Sequence, residues 1–271
     1  HVFMDLEDAV APNAKVGARQ TVIDAFNNLD WGKTVRCYRI NDLRTKWCYK
    51  DIVEVVTGAG ENIDTIMIPK AMDGRDVFFV STLLDQLEMD LGLKKKIGLE
   101  VLIEETEGLQ NVEEICAASP RMECVVFGLG DYAASQKIEP LSVSGITDYP
   151  GDHWHYARFR ITMAASTYGL DAVDGPYANL GNIDGYREEC KRAMTLGMAG
   201  KWALTPKQIP TAFEVFSPDA EQVKMARFME GEYKKAEAAG LGSIKVGGIM
   251  VDAATIRLAR NIIDAADLMG L

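Results

Sequence analysis

Residues 97–132 decide the fold: IGLEVLIEETEG (97–108) is an apolar run ending in carboxylates, GLQNVEEICAAS (108–119) has a helical period, and ECVVFGLGDY (123–132) is a second apolar run. Short apolar runs bounded by turn signals predict strands buried on both faces, so the stretch reads as a βαβ unit. Its two strands lie parallel and adjacent, and acids just past their ends project from the same edge of the sheet. Those acids are Glu104, with Glu105 beside it, and Asp131. Paired oxygen ligands on one rim suit a hard divalent cation such as magnesium or manganese better than zinc. The plainer alternative makes Asp131 an N-cap and Glu104 a solvated charge.

The same alternation continues outward along the chain. Strands are predicted near 2–6, 34–40, 65–68, 97–103, 124–127, 171–173 and 200–204, and helices near 13–28, 46–57, 75–91, 109–118, 154–168 and 184–196. Seven parallel strands alternating with helices fit an open doubly wound sheet or a (β/α)8 barrel lacking one strand. The chain opens on His1 inside a strand pattern, HVFMDLED (1–8), which favours a barrel whose first strand lies upstream. No G-x-G-x-x-G turn follows the early strands to favour a dinucleotide-binding sheet. The expected fold is therefore α/β, a TIM barrel without its first strand over 1–212, followed by a C-terminal helical lid or oligomerisation arm over 213–271.

Within that tail, Ser217 and Pro218 read as the N-cap and first residue of a helix running to Ala239 and stopped by Gly240. Asp252 stands at the N-cap of a last helix from about 253 to 269. The tail is too short for an independent core and is expected to pack on its own barrel or a neighbour's.

Composition narrows the functional classes. The chain has 271 residues, 48% apolar and 25% charged, an ordinary globular balance. A net charge of −11, with no basic run longer than KKK at 94–96, argues against nucleic acid as a partner. Five cysteines (Cys37, Cys48, Cys116, Cys124, Cys190) with no C-x-x-C predict reduced thiols and a cytoplasmic location. Because the chain does not open on Met, organelle targeting stays open. No apolar stretch has the length of a membrane span.

Polar residues collect where a barrel places its active site, at the C-terminal ends of its strands. In order they are Glu7 and Asp8, Arg39 and Asn41, Lys70, Glu104 and Glu105, Asp131, Asp174 and Thr205. An Arg within the strand run VRCYRI is harder to assign a structural role than an Asp or Asn after a strand. Lys70, after Pro69, reads equally as a structural ion-pair partner and as a ligand contact. The segment 137–153 is longer than most connections and is expected to be a functional loop. His153 and His155 open a helix pattern, where positions i and i+2 diverge, which argues against a shared zinc.

Seven segments together resemble the HpcH/HpaI aldolase and citrate lyase β-subunit family, which includes the malyl-CoA lyases. They are DLEDAVAPNAK (5–15), VRCYRIND (35–42), IMIPK (66–70), the Glu104 strand with its Glu-x-x-x-Gly turn, FGLGDYAAS (127–135), Thr205-Pro206-Lys207-Gln208 and GGIMVD (247–252). The resemblance spans essentially the whole chain, and DYPGDHWHYAR (148–158) looks most like the malyl-CoA and β-methylmalyl-CoA lyase branch. It implies that Glu104 and Asp131 are the metal ligands for Mg2+ or Mn2+ and that Arg39 contacts the substrate carbonyl oxygens. It further implies that Gly130, Leu204 and Thr205 contact substrate, together with Asp131, and that Asp252 is an acid-base group carried on a neighbouring subunit's lid. The chain departs from the family pattern where Glu105 replaces a common Thr and Thr205 a common His. Strand alternation with Glu100 and Leu102 allows only one of Glu104 and Glu105 onto the ligand face.

The implied reaction is a reversible Claisen-type cleavage of malyl-CoA or β-methylmalyl-CoA to glyoxylate and acetyl-CoA or propionyl-CoA. A CoA thioester and a 2-oxo acid are the expected small-molecule partners, in a homo-oligomer, a trimer or hexamer, with exchanged lids. Citramalyl-CoA cleavage and malyl-CoA thioester hydrolysis are the competing activities. A carrier-dependent subunit of a citrate lyase-like complex is the competing class.

Overall fold

A computed structural model gives the structure of the protein and describes residues 1–138 and 151–271; the loop expected to be functional, 137–153, lies for the most part outside the described residues. The chain forms two compact units, His1–Thr205 and Pro206–Leu271.

The first unit is a parallel sheet of seven strands in sequential order, β1 (Val2–Asp5), β2 (Arg36–Arg39), β3 (Thr65–Ile68), β4 (Gly98–Ile103), β5 (Met122–Phe127), β6 (Asp171–Asp174) and β7 (Gly200–Lys201). Between them run α1 (Lys15–Asn28), α2 (Cys48–Ala59), α3 (Gly74–Leu91), the pair α4 (Thr106–Gln110) and α5 (Val112–Ala117), α6 (Leu129–Ser135), α7 (His155–Tyr168) and α8 (Ile183–Thr195). All seven expected strands form. β3 and β4 are buried along their whole length, as strands covered on both faces must be.

The sheet is curled. Cys37, Met67, Leu102 and Val126, from β2 to β5, form one core cluster into which Phe3, Cys124, Val173 and Trp202 also pack. Phe3 on β1 and Trp202 just after β7 stack with ring centroids 4.7 Å apart, so the two edge strands converge on the same interior. Leu102 and Glu104 therefore share the inner face two residues apart. This places Glu104 inside, 3% exposed, and leaves Glu105 half-exposed at the start of α4.

Two local expectations in this unit needed correction. The expected helix 109–118 divides at Asn111 into α4 and α5, because Asn111 leaves helical backbone geometry and its side-chain amide donates to the Met72 carbonyl. The segment after β5, where no helix is expected, forms the short helix α6, with Gly128 rather than Asp131 at its N-cap position.

The second unit comprises α9 (Ile209–Phe216), α10 (Ala220–Ala238), an antiparallel hairpin of β8 (Ser243–Val246) and β9 (Ile249–Asp252), and α11 (Ala253–Met269). The expected domain boundary at 212/213 falls within α9. Tyr233, Val246, Val251 and Ile256 form its small core, extended by Ala226, Ala259 and Ile263. The hairpin turns on Gly247 and Gly248, whose φ angles of +55° and +90° only glycine adopts readily. Asp219, rather than Ser217, caps α10, accepting from the backbone N–H groups of Glu221 and Gln222. Asp252 caps α11 as expected, accepting from Thr255 N at 2.9 Å and Thr255 Oγ1 at 3.0 Å. Among the described residues, no helix is long and apolar enough to cross a membrane.

Candidate metal and substrate site

The carboxyl ends of β1 to β5 bring five acids and two cations together. Arg39, the last residue of β2, donates from Nε and Nη2 to both oxygens of Asp5 at 2.8 and 2.7 Å. Asp5 is fixed from its other side by the backbone N–H groups of Glu7 and Ala9. The guanidinium carbon lies 5.8 Å from the ring centres of both Phe3 and Trp202. With one edge given to Asp5, Arg39 turns Nη1 toward Glu7, 3.4 Å away. Burial raises the Asp5 carboxyl, but the Arg39 bonds outweigh it and hold Asp5 below its ordinary value.

Lys70 links the remaining acids. It follows β3 with a φ of +50°, uncommon for a non-glycine residue. That geometry aims its backbone N–H at Glu104 Oε1, 2.9 Å away. Its ammonium group binds Glu7, reaches Asp8 at 3.0 Å and Asp131 at 3.3 Å. One residue therefore holds Glu104 by its backbone and Asp131 by its side chain. Burial works against the Lys70 cation, yet Glu7 and Asp8 raise its pKa well above the lysine range.

Glu104 sits against the turn into α6. A Cβ on Gly128 would stand 2.5 Å from Glu104 Cβ and 2.6 Å from Oε2, so the absent side chain at 128 is what makes room for the carboxyl. Asp131 occupies the first turn of α6, where the helix dipole favours an anion. That helix is braced by edge-to-face packing of Phe127, Tyr132 and Trp154, with centroids 5.4–6.2 Å apart. Burial first, then the Asp131 charge, pushes the Glu104 carboxyl up to about 8, against the opposing pull of Lys70. Glu7 is also raised by burial.

This donor set fits a hard divalent cation. Asp5, Glu7, Asp8 and Asp131, with the Glu104 carboxyl among them, face two cationic side chains, leaving an excess of negative charge carried by oxygen donors. Oxygen-only donors with excess negative charge select magnesium or manganese.

The other sequence-derived candidates fall differently. Gly130 lies in α6 beside Asp131, with open space where a side chain would stand. Leu204 is half-exposed and, with Thr205, ends the first unit. Asp252 belongs to the second unit. Asn41 is buried and bonded through its amide to Asp51 at 2.6 Å, a structural role. Asp174 is sealed in a buried ion cluster with Arg158, at 2.9 Å, and Lys201, at 2.5 Å. Sequence reasoning did not foresee Asp5 as the anchor of Arg39, although it sits two residues before Glu7 at the end of a predicted strand.

The family model described as HpcH/HpaI aldolase/citrate lyase matches residues 1–206. An L-malyl-CoA/beta-methylmalyl-CoA lyase from Rhodobacter capsulatus is 40% identical, the match covering 98% of this chain and 87% of that protein. A (3S)-malyl-CoA thioesterase from Cereibacter sphaeroides is 30% identical over 98% of this chain and 86% of its own length. Among solved structures, CitE from Mycobacterium tuberculosis in complex with magnesium, acetoacetate and coenzyme A superposes with a TM-score of 0.75. It is 25% identical, with 98% of this chain and 89% of that one covered.

Proposed function

This chain belongs to the HpcH/HpaI aldolase/citrate lyase family, and on that premise we propose that it is a magnesium- or manganese-dependent carbon–carbon lyase. Its reaction is the reversible cleavage of malyl-CoA or β-methylmalyl-CoA to glyoxylate and acetyl-CoA or propionyl-CoA. The observation that carries the reading is the single strand-end assembly in which Lys70 ties Glu104 to Asp131 beside a clamped Arg39.

Glu104 and Asp131 are the residues that would hold the cation, which when bound supplies Lewis acidity at the oxygens of the 2-oxo acid. Cleavage between the α and β carbons removes the hydroxyl proton, forms the aldehyde carbonyl and releases the electron pair as a thioester enolate. Arg39 opposes the charge that develops on oxygen. Its clamp on Asp5 and its place beside the stacked Phe3 and Trp202 rings hold the guanidinium ready, so little reorganisation is needed as that charge forms. Gly130, Leu204 and Thr205 line the substrate's side of the pocket in this reading.

Asp252 is the general acid-base, exchanging the proton at the thioester α carbon. The bonds from Thr255 hold it below the ordinary aspartate range and therefore ionised, as a base must be. It is carried on the second unit, which acts as a lid given to a neighbouring subunit of a homo-oligomer. Large exposed apolar residues on that unit, Phe228, Met250 and Leu258, support an arm that finds a partner. The 1–212 segment is then the catalytic domain, and 213–271 the lid and oligomerisation segment.

Incubation with malyl-CoA, with and without magnesium, tests the reading when glyoxylate, acetyl-CoA and free CoA are followed together. Metal-dependent glyoxylate with acetyl-CoA is expected. Free CoA with malate would replace the lyase by a thioesterase, and cleavage of citramalyl-CoA alone would move the specificity to pyruvate.

A further inference from the structure

The opposite, N-terminal end of the sheet carries a second set of ligand-type side chains. His1 precedes β1, Cys37 lies on β2 and Glu100 on β4. His1 Nε2 is 2.7 Å from Glu100 Oε1, and the Thr65 hydroxyl donates to the same oxygen over 2.5 Å. One donor atom from each of His1, Cys37 and Glu100 lies within 4.8 Å of the other two. Cys37 is fully buried and Glu100 is 3% exposed, so the thiol and the carboxyl meet inside the sheet.

Charge balance is an independent observation. Among the described residues, the ion-pair partner of the buried Glu100 carboxylate is a histidine and not a lysine or arginine. Glu123 also acts on His1, and burial followed by the Glu100 charge raises its own carboxyl above the usual range. Asp64, the third acid near His1, is already paired with Arg36 and Lys95. The end of the sheet is therefore short of positive charge at the point where imidazole, thiol and carboxylate meet.

We infer that His1, Cys37 and Glu100 form a second cation site, separate from the rim, for a thiophilic divalent ion of the zinc and cobalt(II) class. Nitrogen, sulfur and oxygen donors together select these ions over magnesium. Metal–ligand bonds of about 2.0–2.3 Å place tetrahedral donors roughly 3.5 Å apart, so the observed spread closes with shifts of about 1 Å. Binding releases the Cys37 thiol proton and the proton shared by His1 and Glu100 to solvent. The product is neutral, since a +2 ion meets one thiolate, one carboxylate and a neutral imidazole, with water completing the coordination. Neutrality is what a largely buried site requires. A bound ion would tie β1, β2 and β4 together at the end away from the chemistry.

Cobalt(II) titrated into the protein, with magnesium saturating the oxygen-only rim, separates the two sites. A near-ultraviolet sulfur-to-cobalt charge-transfer band that saturates at one equivalent is expected. It should vanish in Cys37→Ser, survive in Cys124→Ser, and need at least about ten-fold more cobalt in His1→Ala. Absence of the band, or its persistence in Cys37→Ser, would overturn the site. Should Cys37→Ser not fold, zinc K-edge absorption on the wild-type protein decides: one sulfur in the coordination shell is expected, and a shell of nitrogen and oxygen alone refutes it. Neither result depends on whether malyl-CoA is cleaved.

Discussion

A carboxyl group moved from about 4.5 to about 8 by burial changes how the surrounding fold responds to pH. Below 4.5, Glu104 is protonated in both folded and unfolded chains. Between 4.5 and 8 the unfolded chain loses this proton while the folded chain keeps it, so stability from this group falls as pH rises. In the presence of a chelator, the stability difference between wild type and Glu104→Gln should therefore shift against wild type across that window; a flat difference would contradict the assignment. Lys70→Met removes the counter-charge from Glu7, Asp8 and Asp131 together. Because Glu7 is buried and Asp8 exposed, a loss of about 1–3 kcal/mol is expected, between the values for exposed and buried pairs. Magnesium should raise the melting temperature of Lys70→Met more than that of wild type, because the ion restores positive charge the variant lacks; an equal or smaller rise would count against a cation site here. Lys70 illustrates what was hidden in the sequence. IMIPK showed that a lysine follows β3, but not that a positive φ would give its N–H to Glu104 and its ammonium to Asp131.

At the scale of elements, the turn from β5 into α6 sets the places of the two proposed ligands, Glu104 and Asp131. Gly128→Ala places a methyl against Glu104 while its φ of −90° is ordinary for alanine, so the effect is steric rather than conformational. Weakened manganese binding, by ten-fold or more, with the secondary structure retained, is the expected outcome from equilibrium titration and circular dichroism. Asp252 joins a capping role to its proposed chemical one, and the two separate cleanly. Asparagine caps a helix about as well as aspartate, so Asp252→Asn should keep the melting temperature and metal affinity while abolishing turnover; an active variant would remove Asp252 from the mechanism. The strands were legible because apolar runs buried on both faces have no polar alternation to mislead. Short elements were not: α6 has seven residues, with Gly128 just before it and Gly130 inside it, and its helix is braced where Tyr132 and Trp154 pack on Phe127. The β8–β9 hairpin did carry a signal, since Gly247-Gly248 between IKV and IMV fits a two-residue turn.

For the whole molecule, the sequential parallel order and the curl that brings Phe3 to Trp202 put Arg39, Lys70, Glu104 and Asp131 on one rim, and alternating strands and helices were enough to foresee that grouping. Which rim residues act was only partly visible. Asp174 stood in the same sequence context as Asp131, yet Arg158 and Lys201 enclose it; long-range partners of this kind leave no local mark. The proposed exchange of lids in a homo-oligomer makes a prediction of its own. Glu104→Gln and Asp252→Asn, each inactive alone, should recover turnover when co-expressed, because mixed oligomers contain sites with both native residues; no recovery would confine the lid to its own chain. The central claim is that Glu104 and Asp131 hold a divalent cation for carbon–carbon cleavage. Its most direct test is to titrate manganese by electron paramagnetic resonance into wild type, Glu104→Gln and Asp131→Asn while assaying glyoxylate release from malyl-CoA on the same samples. One bound ion in wild type, with affinity and glyoxylate release lost together in both variants, is the predicted result. Unchanged manganese binding in either variant, or glyoxylate release that persists without the metal, would contradict it.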